Sequence, residues 1–261
     1  MTDILSFSHV TRQFPAMAAG RGREMFTAVD DADFSVREGE ILGLLGESGC
    51  GKSTIARMLL GLIHPTSGEI FYRGKEIGRL HSREFHPYRR EIQMVFQNPF
   101  GCLDPRMKVR NLLLEPLQVW KIGKDDADRM DRVRKMCSEC GLPEASLDKR
   151  PGEFSGGQLQ RIAIARTLLM EPKLLVADEI VSALDVAVQN QILQLLLDMR
   201  KRYDLTILFI THDLAVIEKM ADRVMVMRQG RILQIGDCRE VLEKPTDPYV
   251  KELKTAGFWM L

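Results

Sequence analysis

The 261-residue chain lacks several features that characterise whole classes of protein. No apolar run approaches the roughly 18 residues that a membrane-spanning helix requires. The N-terminus, MTDILSFSHV, lacks the basic and then apolar layout of an export signal, so we expect the chain to stay in the cytosol. Basic side chains number 37 and acidic ones 36. This balance gives no basic field of the kind that neutralises a phosphate backbone, and we expect no nucleic-acid partner.

Cysteine is sparse, and its spacing does not indicate a disulfide framework. The five cysteines are placed irregularly, at Cys50, Cys102, Cys137, Cys140 and Cys238. Cys137 and Cys140 form a CxxC pair, but one such pair supplies only two metal ligands and lies in a stretch of helical period. We therefore interpret these two residues as packing on a helix face. The five histidines also show no metal-ligand spacing.

Short apolar runs alternate with longer stretches of helical period along much of the chain. The runs have the length and composition of buried strands and occupy residues 41–45, 92–96, 174–177, 206–210 and 223–227. This alternation predicts an α/β fold with a mainly parallel sheet and covering helices. Residues 1–40 and 66–76 show alternating polarity instead, which predicts a smaller antiparallel β subdomain.

Strand signals disappear between about residues 100 and 160, where helical segments such as VRNLLLEPLQVW take over. We therefore predict a helical subdomain inserted into the core of a single domain that spans residues 1–261. Residues 15–25, with the sequence PAMAAGRGREM, are rich in small residues and are predicted to form a loop.

The most specific motif has the form GxxxxGK(S/T) and lies between an apolar strand and a helical segment. Its glycines let successive backbone N–H groups turn toward a polyphosphate at the start of a helix. Lys52 is placed to reach the β- and γ-phosphates, and Ser53 to bind Mg²⁺. We predict that ATP is bound by the whole segment, which consists of Gly46, Glu47, Ser48, Gly49, Cys50, Gly51, Lys52, Ser53 and Thr54.

A second apolar strand, LLVA, ends in two adjacent carboxylates. Asp178, at the strand end, is predicted to hold the Mg²⁺ shell, whereas Glu179 is predicted to polarise an attacking water. An apolar run followed by Asp-Glu is common by itself. Its position downstream of the phosphate loop makes the pairing much more specific, because a phosphate loop requires an acidic partner for its metal ion.

A third motif, FSGGQ, opens another helical segment and includes Ser155, Gly156, Gly157 and Gln158. Two exposed glycines after a serine at a helix N-terminus form an anion site. A simple N-capped helix would not explain why glycines occupy the first turn. With this motif the chain resembles the ATP-binding-cassette ATPases, whose signature has the form (L/F)SGGQ. The resemblance implies that these residues bind the γ-phosphate of ATP held by a second cassette.

Further residues match the same family in their order along the chain. Gln97, after the strand IQMVF, resembles the glutamine that contacts Mg²⁺ and the attacking water. The segment 182–185 resembles the loop that crosses to the second cassette, which implicates Asp185 in nucleotide binding. His212, in FITHDL, resembles the histidine that contacts the γ-phosphate. The resemblance implies a catalytic set of Glu179, His212, Gln97 and Lys52, with Mg²⁺ bound by Ser53, Gln97 and Asp178.

Two details stay open at this stage. The family usually stacks an aromatic side chain on adenine, and Phe14 is preferred here, with Phe26 as the alternative because the segment 15–25 disturbs the register. Ile180 follows Glu179 where the family usually has proline. This difference frees a backbone torsion and leaves both carboxylates in place.

The segments GESGCGKST, VFQNP, LDPR and PTDPY resemble the branch of the family that serves oligopeptide, dipeptide or nickel import. The resemblance implies the ATPase subunit of a bacterial importer, which pairs with a second cassette that is either identical or a paralogue. It also implies two transmembrane permease subunits, an extracytoplasmic solute-binding protein and a peripheral location on the cytoplasmic face of the plasma membrane. The imported solute stays unspecified.

Three alternatives are weaker. A soluble cassette ATPase that acts on DNA, ribosomes or iron–sulfur assembly usually has long coiled-coil inserts or two tandem cassettes, and the sequence contains neither. An exporter is disfavoured by the separate-chain layout and by the PTDPY element. A nucleoside or shikimate kinase shares only the phosphate-loop motif and has no need for SGGQ.

Overall fold

The computed structural model describes residues 2–17 and 23–257 of the chain. In these ranges the strands are β1 (Asp3–Met17), β2 (Arg23–Arg37), β3 (Ile41–Leu45), β4 (Ser67–Tyr72), β5 (Lys75–Glu76), β6 (Ile92–Val95), β7 (Leu174–Asp178), β8 (Thr206–Thr211), β9 (Arg223–Arg228) and β10 (Arg231–Asp237). The helices are α1 (Lys52–Leu59), α2 (Ser82–Phe85), α3 (Tyr88–Glu91), α4 (Val109–Val119), α5 (Asp126–Glu139), α6 (Gly156–Leu168), α7 (Val186–Tyr203), α8 (Leu214–Met220), α9 (Cys238–Glu243) and α10 (Pro248–Gly257). Short 3-10 segments occupy Pro99–Gly101, Glu144–Asp148 and Pro151–Glu153. Among the residues that the structure describes, none of the helices combines the length and the hydrophobic composition of a membrane-spanning segment.

The chain divides into two compact units, and the first consists of residues 1–89 and 206–261. One of its sheets is antiparallel, with the strand order β2-β1-β4-β5. In the other, β3 runs parallel to both β8 and β9, and β10 pairs with β9 in the antiparallel sense. Every residue of β3 and β8 is buried, which is why these strands are continuous apolar runs rather than alternating ones.

The hairpin of β1 and β2 is longer than the sequence indicates. Residues 15–17 pair with residues 23–25 in the antiparallel register, so the loop prediction for 15–25 is wrong at both of its ends. The middle of that segment, residues 18–22, lies outside the described residues. Small residues are compatible with a strand because backbone hydrogen bonds, rather than side chains, join the two partners.

The second unit consists of residues 90–205 and is mainly helical. Its strands β6 and β7 pair in parallel, from Ile92 beside Leu174 to Val95 beside Ala177. Helices α4, α5 and α6 pack on one another, so helices are present where the sequence predicts a helical segment at 100–160. Their inward faces supply buried residues such as Leu113, and α6 extends to residue 168.

Candidate functional site

The phosphate loop joins the end of β3 to the start of α1, and its path requires glycine at two positions. A Cβ atom on Gly46 would lie 2.3 Å from the carbonyl oxygen of Met227, and one on Gly51 would lie 2.3 Å from that of Ala28. Gly51 also has a φ of +116°, which side-chain-bearing residues rarely adopt. The loop therefore packs tightly on neighbouring backbone, and this packing fixes the direction of its N–H groups.

Lys52 is buried inside the loop that precedes it. Its Nζ donates to the carbonyl oxygens of Gly46 at 2.7 Å and Glu47 at 2.8 Å. Ser53 and Thr54 follow in the first turn of α1, where Ser53 is exposed. The ammonium and the start of the helix thus combine two features that bind phosphate, a cation and unpaired backbone N–H groups.

The other residues of the phosphate loop differ in exposure. Glu47, Ser48 and Gly49 are exposed, whereas Cys50 is buried with its Sγ 3.9 Å from Lys52 Nζ. Burial raises the pKa of the Cys50 thiol above its ordinary value, so this side chain is a neutral thiol at physiological pH. The Cys50 carbonyl accepts a hydrogen bond from the backbone N–H of Gly230 at 2.9 Å.

His212 lies on a well-defined turn between β8 and α8. The backbone N–H of Asp213 donates to Thr211 Oγ1 at 3.0 Å. Asp213 Oδ1 in turn caps α8 by accepting from the N–H groups of Ala215 at 2.8 Å and Val216 at 3.3 Å. These bonds leave the His212 side chain exposed at the end of a buried strand.

In the second unit, the structure brings two predicted catalytic residues together. Gln97 follows β6 and Glu179 follows β7, and Gln97 Nε2 donates to Glu179 Oε2 at 3.1 Å. Gln97 Nε2 also lies 3.2 Å from Ser182 Oγ, which donates to the Glu179 carbonyl at 2.9 Å. Parallel strands end at the same edge of a sheet, so pairing of β6 with β7 explains this proximity. Asp178, the last residue of β7, is half-buried at the same edge.

The turn after Glu179 has an uncommon backbone. Glu179 has a φ of +48°, in the left-handed region that residues with side chains seldom occupy. Ile180 stands where the ATP-binding-cassette ATPases usually have proline. It is 2% exposed, and its side chain is buried in the core. At this position, the chain therefore has a buried apolar side chain instead of a rigid proline ring.

The SGGQ motif forms the N-terminus of α6, as the sequence predicts. Ser155 and Gln158 form a capping box, in which Gln158 Oε1 accepts from Ser155 N at 3.0 Å and Ser155 Oγ accepts from Gln158 N at 3.4 Å. Both side chains are exposed. The capping box leaves the N–H groups of the two intervening glycines without a side-chain cap.

The two glycines of this motif have different surroundings. A Cβ atom on Gly157 would lie 2.4 Å from Val188 Cγ1, whereas one on Gly156 would lie 3.4 Å from Leu184 Cδ2. Packing against α7 therefore explains Gly157, and only Gly156 has room for a side chain. Asp185 caps α7 by accepting from Val188 N at 3.0 Å, so it lies one turn before the valine against which Gly157 packs.

The two aromatic candidates for adenine stacking are directly opposite each other. Phe14 pairs with Phe26 across the hairpin, and such pairs share one face of the sheet. The Arg12 guanidinium carbon lies 4.5 Å from the centre of the Phe14 ring. Phe26 is 54% exposed. The structure therefore places both candidates on one surface and makes Phe26 the more accessible ring.

Sequence analysis missed a groove in the second unit, formed by β6, α4 and α6. Its cavity has a volume of about 380 Å³, and Phe96, Val119 and Trp120 belong to its lining. Arg166 also lines the cavity, and its side chain donates hydrogen bonds to Glu115 Oε2 at 2.6 Å and to the carbonyl of Leu112 at 3.2 Å. The available signal was two polar residues on α6, Arg166 and Thr167, the second of which is 8% exposed.

A phosphate loop, an Asp-Glu strand end and an SGGQ helix start are the defining features of ATP-binding-cassette ATPases. Residues 29–182 match the ABC transporter family. The chain is 46% identical over 255 residues to a Brucella ovis protein named for peptide import and ATP binding, covering 98% of this chain and 78% of that one. It is 40% identical to the oligopeptide transport ATP-binding protein OppF of Bacillus subtilis, covering 98% and 83%.

Solved structures give the same result. An ATP-binding cassette solved as a dimer in a post-hydrolysis state with ADP and Pi has a TM-score of 0.79 and 28% identity, covering 90% of this chain and 99% of that one. The protein cbiO1 of Clostridium perfringens, part of a transporter complex, has a TM-score of 0.80 and 27% identity, covering 99% and 98%. The chain belongs to the ABC transporter family, which confirms the predicted fold class and the predicted ATPase class.

Proposed function

We propose that this protein is the ATP-hydrolysing subunit of a bacterial peptide importer. One observation carries the proposal: the chain has a phosphate loop with a buried lysine and, separately, an SGGQ helix start whose Ser155 and Gln158 side chains are exposed. A simple ATP-binding enzyme needs the first of these anion sites but has no use for the second. Two sites of this kind fit a cassette that binds one ATP itself and covers the ATP of a partner.

In the first unit, the loop residues 46–54 bind the phosphates of ATP. The backbone N–H groups and the α1 N-terminus surround the oxygens, and the Lys52 ammonium offsets the charge on the β- and γ-phosphates. His212 adds a contact to the γ-phosphate. An aromatic ring of the hairpin, Phe14 by preference or Phe26, stacks on the adenine.

In the second unit, Glu179 orients and polarises the water that attacks the γ-phosphate. Gln97 orients the Glu179 carboxylate through the 3.1 Å hydrogen bond. Mg²⁺ requires oxygen ligands. We infer that these are the hydroxyl of Ser53 in the first unit and, in the second unit, the amide oxygen of Gln97 and the carboxylate of Asp178. When bound, Mg²⁺ neutralises charge on the phosphate oxygens.

The exposed start of α6 serves a second cassette. The N–H groups of Gly156 and Gly157, together with the side chains of Ser155 and Gln158, bind the γ-phosphate of the partner's ATP, and Asp185 at the start of α7 contributes to the same contact. Cassettes that pair in this way close only when nucleotide is present. The dimeric structure with ADP and Pi supports this arrangement for a relative with 28% identity.

The groove in the second unit is the proposed contact with two permease subunits. Phe96 and Val119, which are 42% and 68% exposed, line the groove, and Phe100 in the segment after Phe96 is 56% exposed. Exposed apolar side chains of this kind favour a contact with another protein. The chain would then be peripheral, on the cytoplasmic face of the plasma membrane, with an extracytoplasmic solute-binding protein delivering peptide. The names of the Brucella ovis and Bacillus subtilis relatives favour peptide over nickel.

A purification from detergent-solubilised membranes tests the partnership. We expect the tagged wild-type chain to co-purify with two permeases, and Val119→Glu to abolish this. Leu62→Glu is the matched control, because Leu62 is 60% exposed but belongs to the first unit, away from the groove residues in sequence. A wild-type chain that binds Mg²⁺ and ATP but never co-purifies with a permease would favour the soluble ATPase instead.

The cargo is tested in proteoliposomes that contain the purified complex. Peptide-loaded binding protein is expected to stimulate ATP hydrolysis and peptide uptake together. Stimulation by Ni²⁺-loaded binding protein alone would contradict the peptide assignment while leaving the ATPase role intact.

A further inference from the structure

The hydroxyl of Ser182 joins the two residues of the predicted catalytic pair. Ser182 Oγ lies 3.2 Å from Gln97 Nε2 and donates to the carbonyl oxygen of Glu179 at 2.9 Å. Gln97 Nε2 also donates to the Glu179 carboxylate at 3.1 Å. The three residues therefore form a closed ring of hydrogen bonds that begins and ends at Glu179.

Each group in this ring has the hydrogens and lone pairs that its position requires. An ionised carboxylate only accepts, so the amide nitrogen of Gln97, and not its oxygen, faces Glu179. That nitrogen carries two hydrogens, one for the Glu179 carboxylate and one for Ser182 Oγ. The hydroxyl accepts from the amide and donates its single hydrogen to the Glu179 carbonyl. The ring thus fixes the orientation of the amide and the rotation of the hydroxyl together.

Ser182 also holds the uncommon backbone of Glu179. The φ of +48° at Glu179 is unfavourable for a residue with a side chain and persists only where the surroundings fix it. The Glu179 carbonyl oxygen accepts twice from Ser182, from its backbone N–H at 3.2 Å and from its hydroxyl at 2.9 Å. Since the direction of a side chain depends on its own backbone, these two bonds help to aim the Glu179 carboxylate.

The turn that carries Ser182 is anchored independently of the hydroxyl. The neighbouring Val181 is 2% exposed, and its carbonyl oxygen accepts from Gln189 Nε2 on α7 at 2.9 Å and from Leu184 N at 3.1 Å. Ser182 itself is exposed. Removal of its hydroxyl should therefore leave the path of the turn and the stability of the fold unchanged.

We propose that Ser182 is a positioning residue for ATP hydrolysis: its hydroxyl holds the Gln97 amide against the Glu179 carboxylate and fixes the turn from which that carboxylate extends. The inference rests on the proposed function, in which Glu179 directs the attacking water. It assigns Ser182 an effect on the chemical step and none on the affinity for nucleotide.

Kinetics of Ser182→Ala test this role. The variant loses two hydrogen bonds of the ring, so we expect kcat for ATP to fall about five- to tenfold. The Kd for AMP-PNP with Mg²⁺ and the midpoint of denaturant unfolding should equal those of the wild type. Ser182→Thr keeps the hydroxyl and should recover most of the rate. Ser138→Ala, at an exposed position of α5, is the matched control. An unchanged kcat in Ser182→Ala, or a loss that Ser182→Thr does not reduce, would overturn the inference.

A double-mutant cycle distinguishes action through Glu179 from a general effect. In the Glu179→Gln background, Ser182→Ala is expected to lower the residual single-turnover rate less than twofold, because the group that it positions is already lost. The full five- to tenfold loss in that background would show that Ser182 acts by another route.

The dependence of the rate on protein concentration separates this role from a contact with a second cassette. Positioning within one chain leaves the concentration for the half-maximal specific rate unchanged in Ser182→Ala. An increase in that concentration would assign Ser182 to the pairing of cassettes and overturn the inference, while the proposed function would stand. A wild-type chain that binds AMP-PNP but hydrolyses no ATP, even with its co-purified partners, would overturn the proposed function itself.

Discussion

Gln97 donates from its Nε2 to the Glu179 carboxylate at 3.1 Å, although 82 positions separate the two residues. The contact exists because each residue follows one member of a parallel strand pair. A carboxylate that accepts from an amide is held in one orientation, which is what a group that directs a water molecule requires. The pair is therefore the part of the second unit on which the chemistry is expected to depend.

Glu179→Gln should keep ATP bound but nearly abolish its hydrolysis. The amide preserves the shape of the side chain and removes its capacity to polarise water, so we expect kcat to fall by about 10² to 10³. Steady-state phosphate release together with AMP-PNP binding measures the two effects separately. Glu69→Gln, at an exposed position of β4, is the control. Hydrolysis at the wild-type rate in Glu179→Gln would show that another group activates the water.

Lys52→Ala should weaken nucleotide binding. The ammonium is buried and its two carbonyl acceptors hold it in the loop, so its loss removes a charge-assisted contact to phosphate. Such contacts contribute about 1.5 to 3 kcal/mol, which corresponds to a roughly 10- to 150-fold rise in Kd for ATP. Isothermal titration calorimetry measures the Kd for ATP, and Lys75→Ala, at an exposed position, is the control. Unchanged affinity in Lys52→Ala would exclude the phosphate-loop assignment.

The motifs were predictable because each is local in sequence. The phosphate loop, the Asp-Glu pair and SGGQ all lie at strand or helix ends, where their residue order alone implies the geometry. The groove lined by Trp120 was not predictable, since its walls come from segments that meet only through tertiary packing.

The SGGQ motif illustrates a partial prediction. Sequence reasoning attributes both of its glycines to phosphate binding, but Gly157 is also required by the close approach of Val188. Pattern analysis identifies that glycine is needed and cannot separate packing from ligand binding, because both exclude a Cβ atom.

Gly157→Ala should destabilise the fold, whereas Gly156→Ala should not. The new Cβ at position 157 would overlap Val188, and overpacking of this kind typically costs about 1 to 3 kcal/mol. Denaturant unfolding of both variants gives the comparison. Val188→Ala should restore stability to Gly157→Ala by removing the overlapping methyl group. Equal stability of the two glycine variants would mean that the Val188 contact relaxes without strain.

The adenine contact can be assigned by comparing two nucleotides. Phe14→Ala is expected to raise Kd for ATP, because stacking on a base contributes about 1 to 3 kcal/mol, and to leave binding of inorganic triphosphate unchanged. Phe26→Ala is the matched comparison, since the two rings face each other across the hairpin. If Phe26→Ala alone weakens ATP binding, the exposed ring is the stacking residue and the preference for Phe14 is wrong.

The CxxC pair should be chemically inert in the folded protein. Burial raises the pKa of Cys137 to about 11, and burial, followed by the neighbouring Cys137 and Glu139, raises the pKa of Cys140 to about 12. Thiolate is the reactive form, so at pH 8 only about one thiol in 10³ or fewer is reactive at either position. Because both pKa values lie above the range of pH used, the rate of labelling by iodoacetamide should increase about tenfold for each pH unit from 7 to 9.

Peptide mass analysis after labelling measures the fraction of each cysteine that has reacted, with the half-buried Cys102 as the internal reference that reacts first. Rapid labelling of Cys137 or Cys140 at pH 7 would instead indicate a low-pKa thiol and revive a redox role for the pair.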